Sequence, residues 1–424
     1  MRISTAQIFN SGASGIGRNQ SDLFKLANQM ATGRKVLTPE DDPIASAQAL
    51  VLTQSSAVTQ QFLKNQSDAL GKLNIVESQV ASVGDLLQSV RERLVQAGST
   101  TLSNSDRAYI TTELEARFSE LMGIANSQDG EGNYLFSGYQ GAVKPFSATT
   151  SGASYQGDSG LRLLQVGAAR QMATNVTGNQ LFEAVRSGNG SFVTSAATTG
   201  AGAPVNTGSG IIDQGSVSDP GKWTAALAAY PGGVQIKFSV AAGVTSYQLF
   251  DSPAGTTAYT AAQAYTPGQS IKLERTTAPA SDFGAAVVVS GQPANGDAFT
   301  IAPSTNQSIF TSLRSAISTL TSGIGGAYTS TEYSNRLAES LGGIDQGLEN
   351  VNKVRSTVGS SLKELDSLSS SAEDLKLQYA SSVSSLQDLD YTKAITDISQ
   401  KKLQLEAAQL SFKQISQLSL FSIL

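Results

Sequence analysis

Three short stretches of this sequence carry residue types that could do chemistry, and the first resembles a calcium-binding loop. Asp129, Glu131 and Asn133 alternate as the oxygen ligands of such a loop do. However, Tyr134 stands where the loop requires glycine, and Gln140 stands where it requires a bidentate glutamate. We therefore interpret the stretch as a glycine-rich turn and expect no metal there.

The other two stretches are rich in glycine and in carboxylates. Residues 12–17 have the glycines of a phosphate-binding loop in the wrong order, and no predicted strand precedes them. These glycines fit close helix packing or local flexibility better. Glu40, Asp41 and Asp42 could act as paired catalytic carboxylates, but they directly precede Pro43, where acidic side chains cap a helix. We therefore predict no catalytic residue and no cofactor.

Composition removes whole classes of function. The 424-residue chain has neither histidine nor cysteine, which excludes Ser-His and Cys-His catalysis, disulfides, and zinc sites built on imidazole or thiolate. Its formal net charge is −5, and its 29 basic residues are scattered. Nucleic-acid binding needs a basic surface, so we reject it. The composition favours a protein that is not an enzyme.

The start of the chain lacks a secretory signal. Residues 1–7 contain no apolar run and no small-residue cleavage site. No stretch approaches the roughly 18 consecutive apolar residues of a membrane-spanning helix, so we expect no membrane insertion. If the protein leaves the cell, we expect it to use another route.

Both ends of the chain have the pattern of long amphipathic helices. Near the N-terminus, apolar residues recur every seven positions, at Phe9, Ile16, Leu23, Met30 and Leu37. Near the C-terminus, one apolar seam interrupted only by Lys401 is formed by Tyr391, Ala394, Ile398, Leu405, Ala408, Phe412 and Ile415. Because both terminal seams need a partner to cover them, the pattern favours a subunit of a polymer.

The helical regions next to these ends should form a bundle. The first helix is predicted to end near Val36, and a second should restart at Pro43 after a break, with Asp42 as its cap. A regular seam from residue 73 to residue 97 predicts a bundle core, and a capped shorter helix follows with Ile110, Leu114, Phe118 and Leu121 on one face.

The last helical region is long. It begins near Ser308, and from Leu337 to Leu386 its apolar residues keep one register, which Arg355, Ser369 and Lys376 interrupt. Near residues 388–391 the register slips by one position, which we interpret as a stutter in a continuing helix.

Between the helical regions the periodicity becomes that of β-structure. Residues 134–139 are predicted to form a strand with a turn, and residues 187–210 a flexible or loop-rich stretch. Short apolar runs separated by glycine and proline then predict a β-sandwich-like or partly barrelled domain, with strands around residues 234–238, 247–250, 271–273, 286–289 and 298–301. Trp223 is assigned to its core.

Four motifs resemble the bacterial flagellin family. They are the opening Met1-Arg2-Ile3-Ser4-Thr5, the break Leu37-Thr38-Pro39-Glu40-Asp41-Asp42-Pro43-Ile44, the turn Gly132-Asn133-Tyr134-Leu135-Phe136-Ser137-Gly138, and the ending Phe412-Lys413-Gln414-Ile415-Ser416-Gln417-Leu418-Ser419-Leu420-Phe421. The resemblance covers both helical ends, whereas residues 187–295 match only loosely.

The resemblance implies a mainly α, flagellin-like fold with an inserted β domain. The two chain ends would form a discontinuous coiled coil and bundle, and the central β-rich domain would point outward. The implied parts are terminal coiled-coil segments at residues 1–42 and 388–424, a helical bundle at 43–140 and 306–387, a β-rich connector at 141–186, and an outer β domain at 187–305.

The resemblance also implies a function. The chain would be a secreted structural subunit of the flagellum, exported unfolded by the flagellar type III apparatus with its chaperone. It would form a ring with copies of itself, between hook-associated protein 1 of the hook and the flagellin filament. Subunit assembly would rest on Phe9, Ile16, Leu23, Met30, Leu37, Tyr391, Ile398, Leu405, Phe412, Ile415, Leu418, Leu420 and Phe421.

Three other readings stay open or are set aside. The chain could be flagellin itself, which has the same helical frame, or a junction subunit whose outer domain is adhesive. An enzyme inserted into a flagellin-like scaffold would need zinc chemistry for which there is no histidine. In either structural reading, we expect the two tails to be disordered in the free monomer and to fold when neighbours cover their apolar surface.

Overall fold

The computed structural model describes residues 5–99, 101–197, 206–324, 326 and 328–421. The chain divides into two compact units. The first unit comprises Met1–Ser67, Gln165–Arg170 and Asp366–Leu424, and the second comprises Asp68–Leu164 and Gln171–Leu365. Both ends of the chain therefore belong to the first unit.

Long helices occupy both ends of the chain. The described residues contain the end helices α1 (Thr5–Thr32), α2 (Pro43–Ala97), α3 (Asn104–Ala125), α5 (Ile309–Ile324), α6 (Ser330–Gln387) and α7 (Tyr391–Phe421), and the short helix α4 (Pro220–Ala229) in the middle of the chain. None of these helices is both long and apolar enough to cross a membrane.

Short strands fill the middle of the chain. They are β1 (Phe146–Thr149), β2 (Gly152–Tyr155), β3 (Leu163–Gly167), β4 (Arg170–Ala173), β5 (Val185–Arg186), β6 (Phe192–Ala196), β7 (Ile211–Ile212), β8 (Ser216–Val217), β9 (Val234–Ala241), β10 (Val244–Asp251), β11 (Gln263–Ala264), β12 (Ser270–Arg275), β13 (Ser281–Ser290), β14 (Ala298–Pro303) and β15 (Asn306–Gln307). The architecture is the predicted one, mainly α with a β-rich insertion.

The predicted break between the first two helices is confirmed. α1 ends at Thr32, earlier than Val36, because Gly33 takes a φ of +70°, the left-handed conformation that commonly ends helices. The Asp42 carboxylate then accepts hydrogen bonds from the backbone N–H groups of Ile44 and Ala45, at 3.1 and 2.9 Å. Asp42 is thus the cap of α2.

The predicted bundle core lies in the second unit. The eight seam residues of α2 from Leu73 to Ala97 are each at most 2% exposed, and the phenol of Tyr333 in α6 donates a hydrogen bond to the carbonyl of Ala97 at 2.9 Å. Ser103 and Asp106 form a capping box at the start of α3. The buried face of α3 is the predicted one, with Ile110, Leu114, Phe118 and Leu121.

A cluster of five phenylalanine rings joins the connecting part of the chain to α3 and α5. The closest ring centroids within it lie 5.0 to 6.0 Å apart, and tilted or edge-on contacts dominate. The rings belong to Phe118, Phe136, Phe146, Phe182 and Phe310.

The predicted strand at residues 134–139 is wrong. Tyr134 makes one isolated bridge, to Gln128, and the following residues turn. Gly138 has a φ of +72°, and the Asp158 carboxylate accepts a hydrogen bond from the N–H of Tyr139 at 2.9 Å. A side chain therefore takes an amide that a strand would pair with its neighbour.

The inserted β domain contains two main antiparallel sheets. One has the order β11-β10-β9-β14-β6, and the other has the order β12-β13-β7, with β8 also paired to β13. The five predicted strands are confirmed as parts of β9, β10, β12, β13 and β14. Both sheets contribute to one buried apolar cluster, as the sandwich-like prediction requires.

Two details of the β domain were predicted differently. Trp223 is a core residue as expected, 4% exposed and 5.0 Å from Phe192 between ring centroids, but it lies on the unpredicted helix α4. The loop prediction for residues 187–210 is wrong at β6, which pairs with β14 because Phe192 and Thr194 alternate into the core. Residues 198–205 lie outside the described residues.

We predict that Leu87→Ala lowers the free energy of unfolding of the helical bundle by about 2–5 kcal/mol, because Leu87 is fully buried and leaves a cavity. Urea unfolding followed by helical circular dichroism measures this change. Val95→Ala on the same helix is the matched control, since Val95 is 53% exposed and its truncation should cost less than about 0.5 kcal/mol. Equal losses for the two variants would contradict the assignment of the core.

Candidate assembly interface

In the first unit, the break between α1 and α2 meets the break between α6 and α7. Arg34 and Asp388 form an antiparallel bridge at the meeting point. The N–H of Lys35 donates to the carbonyl of Gln387 at 2.8 Å, and the N–H of Leu389 donates to the carbonyl of Gly33 at 2.9 Å. Each break thereby satisfies backbone groups that the other leaves free.

The predicted stutter near residues 388–391 is therefore wrong. α6 ends at Gln387 and α7 begins at Tyr391, so the helix stops and restarts. Asp390 caps the restart, because its carboxylate accepts hydrogen bonds from the N–H groups of Thr392 and Lys393, at 2.9 and 3.1 Å. The shift in the apolar register that the sequence shows falls at this break, where Asp388 and Leu389 pair with residues of the other break.

The side chain of Asp41 stabilises the loop between α1 and α2. Its carboxylate accepts hydrogen bonds from the N–H groups of Leu37 and Thr38, at 2.9 and 3.0 Å, and it lies 2.6 Å from the ammonium group of Lys25 on α1. The bond to Lys25, followed by those to the two amides, lowers the pKa of Asp41 to about 2. Asp41 thus serves the loop rather than the helix cap, whereas Glu40 is exposed.

Beyond the breaks, α1 and α7 pack antiparallel. The rings of Phe9 and Phe412 lie 4.8 Å apart, and a Cβ on Gly12 would come within 2.8 Å of the Phe412 ring. Lys401, the break in the C-terminal seam, forms a salt bridge of 2.8 Å with Asp22. The close-packing interpretation is thus confirmed for Gly12, whereas a Cβ on Gly15 or Gly17 would meet no neighbouring atom within 4 Å.

The structure brings most of the predicted seam residues onto this helix pair. Ile16, Leu23, Met30, Ile398, Leu405 and Phe412 are partly buried, and Ala394 is 3% exposed. Phe9 and Tyr391 remain 52% and 51% exposed, although the Tyr391 phenol donates to the carbonyl of Met30 at 3.3 Å. Leu37 lies in the break rather than on α1, because the helix ends before it. The side chains of Ile415, Leu418, Leu420 and Phe421 lie outside the described part of the structure.

Sequence reasoning missed the outer faces of the pair. Leu403 and Leu410 are 67% and 65% exposed on the side of α7 opposite its seam, and Phe24 is 73% exposed on α1. The seven-residue spacing of Leu403 and Leu410 was the available signal. Each helix therefore has an apolar seam that its partner partly covers, and outside the seam it has at least one large apolar side chain that nothing in the described chain covers.

The stretches considered for chemistry have structural uses. The Asp129 carboxylate accepts hydrogen bonds from the N–H groups of Glu131 and Asn133, at 2.9 and 2.8 Å, and so closes its own turn. Within the described ranges, no group of three or more acidic, histidine or cysteine residues is arranged to hold a metal ion. The exposed apolar side chains Phe24, Leu403 and Leu410 form the kind of surface that marks protein contact.

Comparison with known proteins agrees with this geometry. The family model for the bacterial flagellin N-terminal helical region matches residues 3–141, and that for the C-terminal helical region matches residues 341–424. Together the two matches span just over half of the chain. The chain belongs to the bacterial flagellin family. The unmatched middle of this flagellin-family chain contains the β domain.

Individual relatives are flagellar proteins. The chain is 40% identical over 187 residues to flagellar hook-associated protein 3 of Salmonella typhimurium, a match that covers 44% of this chain and 58% of the relative. It is 28% identical over 122 residues to flagellin of Escherichia coli, covering 27% and 24%. The crystal structure of the flagellar junction protein FlgL from Legionella pneumophila matches with a TM-score of 0.66 and 28% identity, over 80% of this chain and all of that one.

We predict that Asp41→Asn accelerates amide hydrogen exchange in residues 33–42 at neutral pH, because it removes the charge that holds Lys25 and weakens the acceptor of two amides. Mass spectrometry of a peptide that covers residues 33–42 measures the exchange rate. Glu40→Gln is the matched control and should exchange like the wild type, since Glu40 is exposed.

The effect of Asp41→Asn should depend on pH in one direction. A folded-state pKa of about 2, below the usual aspartate value of 3.8, contributes stability that is complete above about pH 5 and is lost as the pH falls through 4 towards 2. The difference between variant and wild type should shrink over that range. A difference that grows on acidification would contradict the role of Asp41.

We predict that trypsin cuts the soluble monomer first in its two tails, at sites such as Arg18, Lys25, Lys393 and Lys402, because the half-covered helix pair opens readily. Arg91 and Arg355 are internal controls, since they form ion pairs of 2.6 and 2.9 Å within the second unit and should stay uncut. A time course read by mass spectrometry measures the order. Tails that resist trypsin as long as the bundle does would contradict the expected disorder of the free tails.

Proposed function

We propose that the chain is a non-catalytic structural subunit of the bacterial flagellum, the hook-filament junction protein known as hook-associated protein 3. It would form a ring with copies of itself and join hook-associated protein 1 to flagellin. It would be secreted through the flagellar type III export apparatus after handling by an export chaperone. Within this proposal, residues 1–42 and 388–424 are the assembly segments, and 43–140 and 306–387 the helical bundle. Residues 141–186 are the connector and 187–305 the outer β domain.

The observation that carries this proposal is the α1–α7 pair with apolar surface left on both helices. Leu403 and Leu410 on α7 and Phe24 on α1 are at least 65% exposed, and such surfaces mark sites of protein contact. A subunit that must be covered by neighbours fits a polymer. The predicted assembly residues from Phe9 to Phe421 would then act as one surface, with the outer faces added to it.

The choice of the junction subunit over flagellin rests on the extent of similarity. Identity to hook-associated protein 3 is 40% over 187 residues, against 28% over 122 residues for flagellin. Because the match spans only 58% of the Salmonella relative, its whole role comes to this chain as a proposal. An adhesive role of the β domain would be an addition to this function, tested by binding of glycans to the domain.

Deletion of the gene from its own bacterium tests the proposal. We expect hooks that still carry hook-associated protein 1, with flagellin shed into the medium, because the filament has no base on which to grow. Immunoblots of the medium and of isolated hooks measure this. Filaments that persist on the deletion strain would overturn the junction role.

Complementation refines the same experiment. Leu403→Asp should fail to restore filaments although the protein is still exported, because a charge replaces an exposed apolar contact. Gln409→Asp is the matched control, since Gln409 is also exposed but lies roughly 120° round the helix from Leu403. Equal rescue by the two variants would contradict a role of the outer face of α7 in assembly.

A further inference from the structure

An uncharged groove lies in the first unit between α2, α6 and the tip of the β3–β4 hairpin. Its volume is about 510 Å³, within the range of roughly 300–1,000 Å³ that holds small ligands. No charged side chain lines it among the described residues. Val51, Val58 and Leu375 in its walls are 62%, 48% and 48% exposed, and the aromatic residues Phe62 and Tyr379 also line it.

The side-chain amide of Gln66 lines this groove and is buried, but its oxygen has no hydrogen-bond partner among the described residues. Gln66 is only 2% exposed, and its Nε2 donates to the carbonyl of Val166 at 2.7 Å. Its Oε1 is also buried, and none of the described residues donates a hydrogen bond to it. Because buried acceptors are normally paired, an occupant that brings an N–H or O–H group together with apolar surface would suit both Gln66 and the groove walls.

One face of α1 has the matching chemistry. Phe24 lies at the centre of this face and is 73% exposed, so it does not fill the groove of its own chain. From Phe9 onward, the residues of α1 within about 60° of Phe24 around the helix axis are exposed and uncharged: Phe9, Asn10, Ala13, Gly17, Gln20, Ser21, Ala27, Asn28 and Ala31. Gln20 and Asn28 lie one turn on either side of Phe24, and their amides can donate hydrogen bonds.

The exposed face of α7 is a poorer match for the groove. Leu403 and Leu410 are flanked there by Lys402 and Glu406, both exposed. Insertion of this face would take charges out of water beside a wall that offers them no counter-charge, which is costly. The small residues around Phe24 also allow a helix to approach closely, whereas long charged side chains do not.

We propose that Phe24 of one copy of this chain inserts into the groove of a second copy. Its ring would lie against Phe62 and Tyr379, and the amide of Gln20 or Asn28 would donate to Oε1 of Gln66. The inference deepens the proposed function, on which its assembly context rests, by naming one subunit contact. A projecting side chain on one surface and a groove on another make a head-to-tail contact, which closes into a ring when the rotation permits.

Cysteine cross-linking tests the contact, since the chain has no cysteine of its own. Full-length Gln20→Cys and Ser371→Cys proteins, the latter changed at the groove wall, are mixed at high concentration and oxidised. We expect a disulfide-linked dimer of one copy of each, identified by mass. Arg18→Cys replaces Gln20→Cys as the control, because Arg18 is exposed but lies roughly 120° from Phe24 around α1.

Substitutions in the groove make the test specific. Val58→Asp in the Ser371→Cys copy should reduce the mixed dimer on the order of tenfold, because an unpaired carboxylate would be buried. Ala57→Asp on the same helix should not, since Ala57 is exposed and does not line the groove. Phe24→Ala in the other copy should reduce the dimer as Val58→Asp does. Circular dichroism of each variant verifies that it is folded.

Three outcomes overturn the inference. The first is that Gln20→Cys gives no more mixed dimer than Arg18→Cys does. The second is that Val58→Asp leaves the amount of mixed dimer unchanged. The third is that a double variant with both Gln20→Cys and Ser371→Cys forms its disulfide only within one chain. The same cysteine pair in flagella from complemented deletion cells separates this inference from the proposed function. Filaments without the cross-link would refute the contact alone, whereas a cross-link in purified protein, with filaments persisting after deletion, would refute the junction role alone.

Discussion

The meeting of the two helix breaks is the constraint on which the first unit depends. Helix ends leave backbone groups unsatisfied, and here the N–H groups of Lys35 and Leu389 reach carbonyls of the opposite break, at 2.8 and 2.9 Å. This bridge fixes where α1 and α7 begin to run side by side. Once Arg34 lies opposite Asp388, antiparallel pairing places Asp22 at Lys401 and Phe9 at Phe412. A helix without the break would place different residues in contact.

A pair of helices cannot enclose an interior, and this limits what α1 and α7 achieve alone. Ala394 is buried between them, but Phe9 and Tyr391 stay about half exposed and the outer faces carry Phe24 and Leu403 uncovered. In the second unit, by contrast, α2 buries eight seam residues almost completely. The same heptad pattern thus has different consequences: where a bundle surrounds the seam it becomes a core, and where one helix faces it the remaining surface is left for other molecules.

Periodicity predicted the helices and strands well because it depends on local geometry. The seam from Leu73 to Ala97, the cap at Asp42 and five of the strands were readable for that reason. What periodicity could not reveal depends on distant partners. The break at residues 388–390 exists because Gly33 and Lys35 pair with it, and residues 134–139 turn because Asp158 takes an amide from Tyr139. The groove around Gln66 likewise combines α2 with a hairpin a hundred residues away.

The inserted β domain can be carried by the helical frame because its two ends leave the frame together. β5 and β15 pair antiparallel, with Arg186 opposite Asn306 and Val185 opposite Gln307, so the insertion begins and ends at one point. Closing a long loop between adjacent ends costs little more entropy than closing a short one. The domain also has its own apolar cluster, built from both sheets and Trp223. Its core is therefore built without the residues of the paired breaks, which constrain only the chain ends.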